Sequence, residues 1–143
     1  KVLEYNCRFG DPETQPIMMR LQSDLVALCQ AALDKKLDQV NTEWDERAAL
    51  GVVMAAGGYP DAYAKGKMIK GLPQTASEDS KVFHAGTQTQ NGDIVTAGGR
   101  VLCACALGQD IAEAQTKAYE LCGQIDWEDV YYRTDIGFKA IKP

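Results

Sequence analysis

Histidine is nearly missing from this sequence: His84 is the only one. Machinery that needs more than one imidazole is therefore excluded, and the neighbours Val82, Phe83 and Ala85 make His84 a structural or cleft-edge strand residue held by a hydrogen bond. The five cysteines (Cys7, Cys29, Cys103, Cys105, Cys122) include no C-x-x-C pair. An odd number in apolar or helical surroundings fits reduced thiols in a cytoplasmic protein and not a disulfide framework. No apolar run, not even Val52-Val53-Met54-Ala55-Ala56, nears the ~20 residues needed to cross a bilayer. The basic and apolar regions of a secretory leader are missing too, so nothing argues for secretion. Lys and Arg number 15 against 20 Asp and Glu, and they are scattered, so the basic stripe of a nucleic-acid binder is lacking.

What remains is an ordinary globular composition, 45% hydrophobic and 24% charged over 143 residues. That length suits one domain, or one domain plus a fragment, and folding should bury roughly 70% of the extended-chain surface. Val2 to Asn6 reads as a strand broken by Gly10-Asp11-Pro12. The three- and four-residue steps of Ile17, Leu21, Leu25, Leu28 and Ala32 predict one helix over 16–33, with one buried face and Pro16 in its first turn. A polar connection covers 34–42. Ala48 to Ala56 is a buried strand ended by the turn Gly57-Gly58-Tyr59-Pro60, and a short extended piece covers 66–73 before a polar loop at 74–80. Strands at 81–88 and 93–96 flank Asn91-Gly92, a strong hairpin signal. Arg100 to Leu107 is a second buried strand. Asp110 and Glu113 then open a helix whose inward face is Ile111, Ala114, Ala118, Leu121, Cys122 and Ile125, and a short strand at 131–132 precedes an irregular end. Strands and helices mix without strict alternation, which predicts an α+β fold.

The most chemically loaded stretch is the opening one. On a strand, Glu4 and Asn6 face the same side, and a carboxylate beside an amide oxygen makes a hard ligand pair suited to Mg²⁺. Arg8 continues the alternation with a planar fork for phosphate or carboxylate, and Asp11 and Glu13 place acceptors beyond the strand end. On spacing alone, the same residues serve as a solvated strand end or as caps for the next helix. Other clusters have structural readings: Cys103 and Cys105 as buried thiols, Gly98-Gly99 as a turn with Arg100 a possible cleft residue, and Trp44, Trp127, Tyr131 and Tyr132 as packing anchors. The acidic group Asp126, Glu128 and Asp129 reads as a solvated loop.

The residues Glu4-Tyr5-Asn6-Cys7-Arg8-Phe9-Gly10-Asp11-Pro12-Glu13-Thr14-Gln15 closely resemble the end of the ATP-grasp domain of the phosphoribosylamine-glycine ligases, also called glycinamide ribonucleotide synthetases. Gly57-Gly58-Tyr59-Pro60 with Tyr63, Lys65-Gly66, Ile69 and Gly71-Leu72-Pro73 is similar to that family's C-terminal domain. Phe83-His84-Ala85-Gly86-Thr87, Gly98-Gly99-Arg100-Val101-Leu102, Ala106-Leu107-Gly108 with Glu113-Ala114, and Tyr132-Arg133 with Asp135-Ile136-Gly137 follow in the family's order. Lys139 departs from it, standing where Arg is more usual.

The resemblance implies the end of an ATP-grasp domain over residues 1–42, then a small mixed-sheet C-terminal domain with flanking helices over 43–143. It implies that Lys1 lies at a boundary inside a longer enzyme. Glu4 and Asn6 would be Mg²⁺ (or Mn²⁺) ligands beside the ATP phosphates, Arg8 a catalytic and substrate-binding group, and Asp11 a substrate contact. The implied partners are glycine, 5-phosphoribosylamine and ATP, and the implied chain is inactive alone. A competing reading, from a different class, is a stand-alone non-catalytic module for protein association.

Overall fold

Arg100–Gly108 is apolar from end to end after its first residue, so it cannot lie at a solvated edge. The computed structural model, which describes residues 1–75 and 77–141, makes it the centre of the main sheet. Position 76 of the expected polar loop and the last two positions of the expected irregular end lie outside the described residues. In chain order the elements are α1 (Thr14–Arg20), α2 (Leu25–Leu33), β1 (Ala48–Ala55), β2 (Ser80–His84), β3 (Thr87–Gln90), β4 (Asp93–Thr96), β5 (Arg100–Gly108) and α3 (Ile111–Gln124). A single 3-10 turn, Leu37–Gln39, follows α2. The main sheet is β1-β5-β2, antiparallel throughout, and β3 and β4 form a separate hairpin. Helices and strands are mixed without a βαβ repeat, the α+β class expected.

Each face of β5 is covered by a helix, and small side chains set the spacing. On one face Leu50, Val52 and Met54 of β1 with Leu102, Ala104 and Ala106 of β5 form the core beneath Ala114, Ala118, Leu121 and Cys122 of α3. Gly108 lies against the backbone of Ala114, where a Cβ would overlap the helix. Asp110 starts α3 by accepting from the Glu113 amide (2.8 Å), while the Glu113 carboxylate accepts from the Gln109 amide (2.6 Å), a reciprocal cap on two otherwise unpaired donors. The opposite face carries Cys103 and Cys105 over Gly51, and Pro16 of α1 leans on that glycine.

The helix expected over 16–33 is two helices. The chain turns extended at Leu21, and Asp24 caps α2 by accepting from the Val26 and Ala27 amides (2.7 and 3.3 Å). The break is held by pairing with a distant segment, from the Gln22 amide to the Glu43 carbonyl (3.0 Å) and from the Asp45 amide to the Arg20 carbonyl (2.7 Å). A continuous apolar period hid a Ser-Asp cap within it. The expected buried face is also largely lacking, because among α2 residues only Ala31 is buried, while Val26 and Leu33 are exposed.

Two further expectations are corrected. Val2 to Asn6 is not a strand: no ladder partner meets it among the described residues, and a lone strand has nowhere to place its backbone hydrogen bonds but water. The 81–88 strand is split at Ala85-Gly86, where β2 leaves for β5 and β3 enters the hairpin. Asn91 and Gly92 both take positive φ (52° and 92°), the geometry that a two-residue hairpin turn requires.

Ion pairs fasten the edges of this assembly. Arg47 meets Asp45 through Nε and Nη2 (3.0 and 2.7 Å) and Asp79 through Nη1 (2.5 Å), and Lys117 of α3 reaches Glu113 at 3.0 Å and Asp79 at 3.6 Å. The Arg47 side chain, followed by its backbone amide, holds the Asp45 carboxyl at about 2. The same guanidinium lowers Asp79. A carboxyl whose folded value lies below its unfolded value of about 3.9 adds stability above that value, and the gain disappears as pH falls through the folded one. The stability advantage of the native chain over Arg47→Gln should therefore be flat above about pH 5 and shrink between about pH 4 and pH 2, as read from thermal melts across that range. Backbone geometry gives a second test. Gly71 (φ 74°) faces the Gln124 carbonyl so closely that a Cβ would overlap it, whereas Gly66 (φ 80°) faces open space. Gly71→Ala should cost about 2 to 4 kcal/mol, combining overlap with strain. Gly66→Ala, with strain alone, should cost about 1 kcal/mol, both variants being read from urea denaturation of the chain.

Candidate functional site

The β1–β5 register shifts between Met54 and Ala55. Met54 faces Leu102, but Ala55 faces Arg100, leaving Val101 as the extra residue of a bulge. Under unbroken alternation Val101 would share the face of Cys103 and Cys105, and Arg100 would point into the core. The bulge reverses both: Val101 is fully buried in the core, and Arg100 emerges beside Val53 and Cys103 in the wall of a cavity of about 440 Å³.

The opposite wall comes from the loop before α1. The Glu13 carboxylate folds back to accept from the Gly10 amide (2.9 Å), and the Thr14 hydroxyl donates to the Gly10 carbonyl (2.6 Å). A Cβ at Gly10 would meet the Glu13 carboxylate, so a larger residue there would displace this cap. Wound this way, the loop sends Asp11 over the start of β5, where Oδ2 lies 2.7 Å from Arg100 Nη2. The pair is partly solvated, with side chains 41% (Arg100) and 62% (Asp11) exposed. Tyr59, Gly86 and Gln15 complete the cavity. Among the described residues, the Gln15 side-chain oxygen is buried without a hydrogen-bond partner. A second hollow of about 340 Å³, almost wholly apolar, shares Val53, Tyr59 and Arg100 and continues to Tyr131 and Ile136. Gly86 and Gly98 touch backbone to backbone, and Gly99 sits under the Tyr59 ring, so these glycines permit close packing at a turn.

The structure brings only part of the expected set together. Asp11 is in the cleft, and so is Arg100. Glu4, Asn6 and Arg8 are exposed on the opening segment and do not line the cavity; Arg8 donates to its neighbour's carbonyl at Phe9 (3.2 Å). Among the described residues no three His, Cys, Asp or Glu side chains gather as a metal cage. Gln15 and Tyr59 were not singled out as cleft residues by sequence. The signal was present, since Gln15 closes the opening motif and Tyr59 lies in the Gly-Gly-Tyr-Pro turn, but it did not say which way either points. His84 is exposed and shares a hydrogen bond with the Thr87 hydroxyl (3.0 Å).

Cys103 and Cys105 are buried with their sulfurs 3.6 Å apart. The Cys105 thiol, donating to Cys103 and buried, is raised far above its usual value, the same hydrogen bond lowers Cys103, and burial pushes Cys122 up to about 12. Cys105 and Cys122 are packing thiols, inert as nucleophiles or metal ligands at neutral pH, while Cys103 is buried at the cavity wall. Cys7 and Cys29 are exposed. A disulfide reagent added to the native chain should titrate two of the five thiols rapidly and the remaining three only on unfolding. A third rapid thiol would show that the cleft opens as far as Cys103.

Comparison with known proteins follows the same outline. Residues 49–139 match the family described as phosphoribosylglycinamide synthetase, C domain. The chain is 67% identical over 141 residues to a phosphoribosylamine-glycine ligase of Vibrio vulnificus (strain CMCP6) and 61% identical over 143 residues to that of Escherichia coli O157:H7. Each alignment covers 99% of this chain and 33% of the relative, so the chain spans about a third of the length of the curated relatives it matches. A crystal structure of phosphoribosylamine-glycine ligase from Thermotoga maritima superposes with a TM-score of 0.73 at 38% identity, covering 94% of this chain and 33% of that one.

Proposed function

This chain belongs to the phosphoribosylglycinamide synthetase C-domain family, and from that membership we propose that it works as the C-terminal part of an ATP-dependent ligase joining glycine to 5-phosphoribosylamine in purine synthesis. The observation that carries the reading is where the apolar surface lies. Eight of the thirteen exposed large hydrophobic residues among the described positions fall in the first 40: Val2, Leu3, Tyr5, Phe9, Val26, Leu33, Leu37 and Val40. The sheet that follows, by contrast, is sealed. So much unpartnered apolar surface in one segment suits a piece of a larger domain. We divide the chain at about residue 42, with 1–42 completing an ATP-grasp domain and 43–143 forming the C-terminal domain, α1 being the part of the first piece that packs on the second.

In this reading glycine's carboxylate attacks the γ-phosphate of ATP to give an acyl phosphate and ADP, and the amine of phosphoribosylamine then displaces phosphate to form the amide. Such a reaction needs positioned charge more than covalent help from protein groups. Glu4 and Asn6 offer a carboxylate and an amide oxygen, both exposed, and that donor chemistry fits a hard divalent cation such as Mg²⁺ or Mn²⁺. Held there, the ion would offset phosphate charge as a Lewis acid. Arg8 would place a planar cation at the reacting carboxylate or phosphate, and Asp11 would stand at the edge where phosphoribosylamine enters. A ligase of this class carries a cytoplasmic location with it.

Two ligands on a segment without ladder partners hold a strongly hydrated ion poorly, so the chain alone should show no ligase turnover. In an assay coupled to ADP release, with glycine, phosphoribosylamine and ATP, this chain should be silent. The same chain extended upstream by a relative's remaining sequence should turn over, and Glu4→Gln in the extended polypeptide should lower kcat on the order of 100-fold. Equal turnover with and without the extension would remove the proposal.

A further inference from the structure

The Asp11–Arg100 pair divides its labour in a way that the opening motif alone does not show. Arg100 is the one cation among the described residues lining the 440 Å³ cavity, and Asp11 is the one anion. The guanidinium brings a single nitrogen to Asp11 as an ion pair, and no other partner of its side chain is seen among the described residues. Ion pairs this exposed contribute little to stability. A bulge, which costs a regular ladder position, nonetheless turns Arg100 out of the core and into the cleft.

We propose that Arg100 is the anion-holding residue of this cleft, and that Asp11 is its resting counter-ion, displaced when the phosphate of a phosphorylated pentose enters. The inference rests on the ligase reading only for the identity of the sugar. A phosphate offers the guanidinium two parallel charge-assisted bonds and twice the charge of one carboxylate, so exchanging a solvated monodentate contact for a bidentate one is favourable. The rest of the cavity suits the pentose. Tyr59 and Gln15 line the walls, and the glycine turn at Gly86 keeps side chains out of the space between. The volume lies within the range of small-molecule sites. Asp11 then acts as a positioning residue: it holds the empty site neutral and Arg100 extended toward the cleft, and it competes with the incoming anion.

The competition makes the two charges respond in opposite directions. The native chain is titrated at low salt with ribose 5-phosphate, inorganic phosphate and ribose, following the Arg side-chain NMR signals and heat, with thermal melts as a check on folding. Ribose 5-phosphate should bind more tightly than inorganic phosphate, and ribose should not bind measurably. Arg100→Gln should weaken ribose 5-phosphate at least about tenfold, Arg100→Lys should fall between the two, and Asp11→Asn should tighten binding by about threefold. The proposal is overturned by the absence of ribose 5-phosphate binding to the native chain, by equal affinity in Arg100→Gln, or by weakening in Asp11→Asn. The last result would make Asp11 a ligand contact in its own right. Because these titrations need no turnover, they separate from the activity assay: Arg100-dependent binding without ligase activity in the extended polypeptide sinks the ligase reading alone, and ligase activity without Arg100-dependent binding sinks this one.

Discussion

Burying β5 on both faces is the demand that the rest of the molecule answers. Eight consecutive buried residues, Val101 to Gly108, have their backbone polar groups satisfied by β1 on one side and β2 on the other, and helices close over both surfaces. Close approach requires small groups at the contacts. Ala104 and Ala106 meet Ala114 and Ala118 on one face, while Gly51 receives Pro16 beside two cysteines on the other. Packing of this kind leaves little room for a polar group in the middle of the sheet. Whatever chemistry the sheet supports has to sit at its ends.

The bulge is where one end becomes useful. One extra residue in β5 exchanges the faces of Val101 and Arg100, sinking the first into the core and lifting the second into a cleft roofed by the loop before α1. That loop is in turn wound on Gly10 and Glu13, so the only cation and the only anion among the described cavity walls are delivered by two local backbone devices 89 positions apart in the chain. The opening segment, with Glu4, Asn6 and Arg8, lies outside this cleft and is exposed.

Where sequence and structure agree, the reason is local. β1, β5 and α3 are legible because continuous apolar runs and a capped 3.6-residue period need no distant partner to be recognised, and the Asn91-Gly92 turn follows from φ alone. The misses share a different cause. The helix drawn through 16–33 breaks because residues 20–22 hydrogen-bond to residues 43–45, and the strand drawn at 2–6 is lacking because no partner meets it among the described residues. The strand drawn through 81–88 divides because its two halves belong to different sheets. Each error took a pattern that one segment could support and assumed that its neighbours would agree.

The candidate site divides along the same line. Residue chemistry and block order were enough to indicate the family, the α+β class, the hard-oxygen character of Glu4 and Asn6, and the interest of Asp11, since these depend on side-chain identity and covalent spacing. That Arg100 faces solvent and not the core, that it meets Asp11, and that Tyr59 and Gln15 stand beside them are matters of register and of approach between distant segments. A single-residue shift in strand pairing turns every subsequent side chain over, and no composition or local period records it; only the packed sheet decides which way Arg100 points.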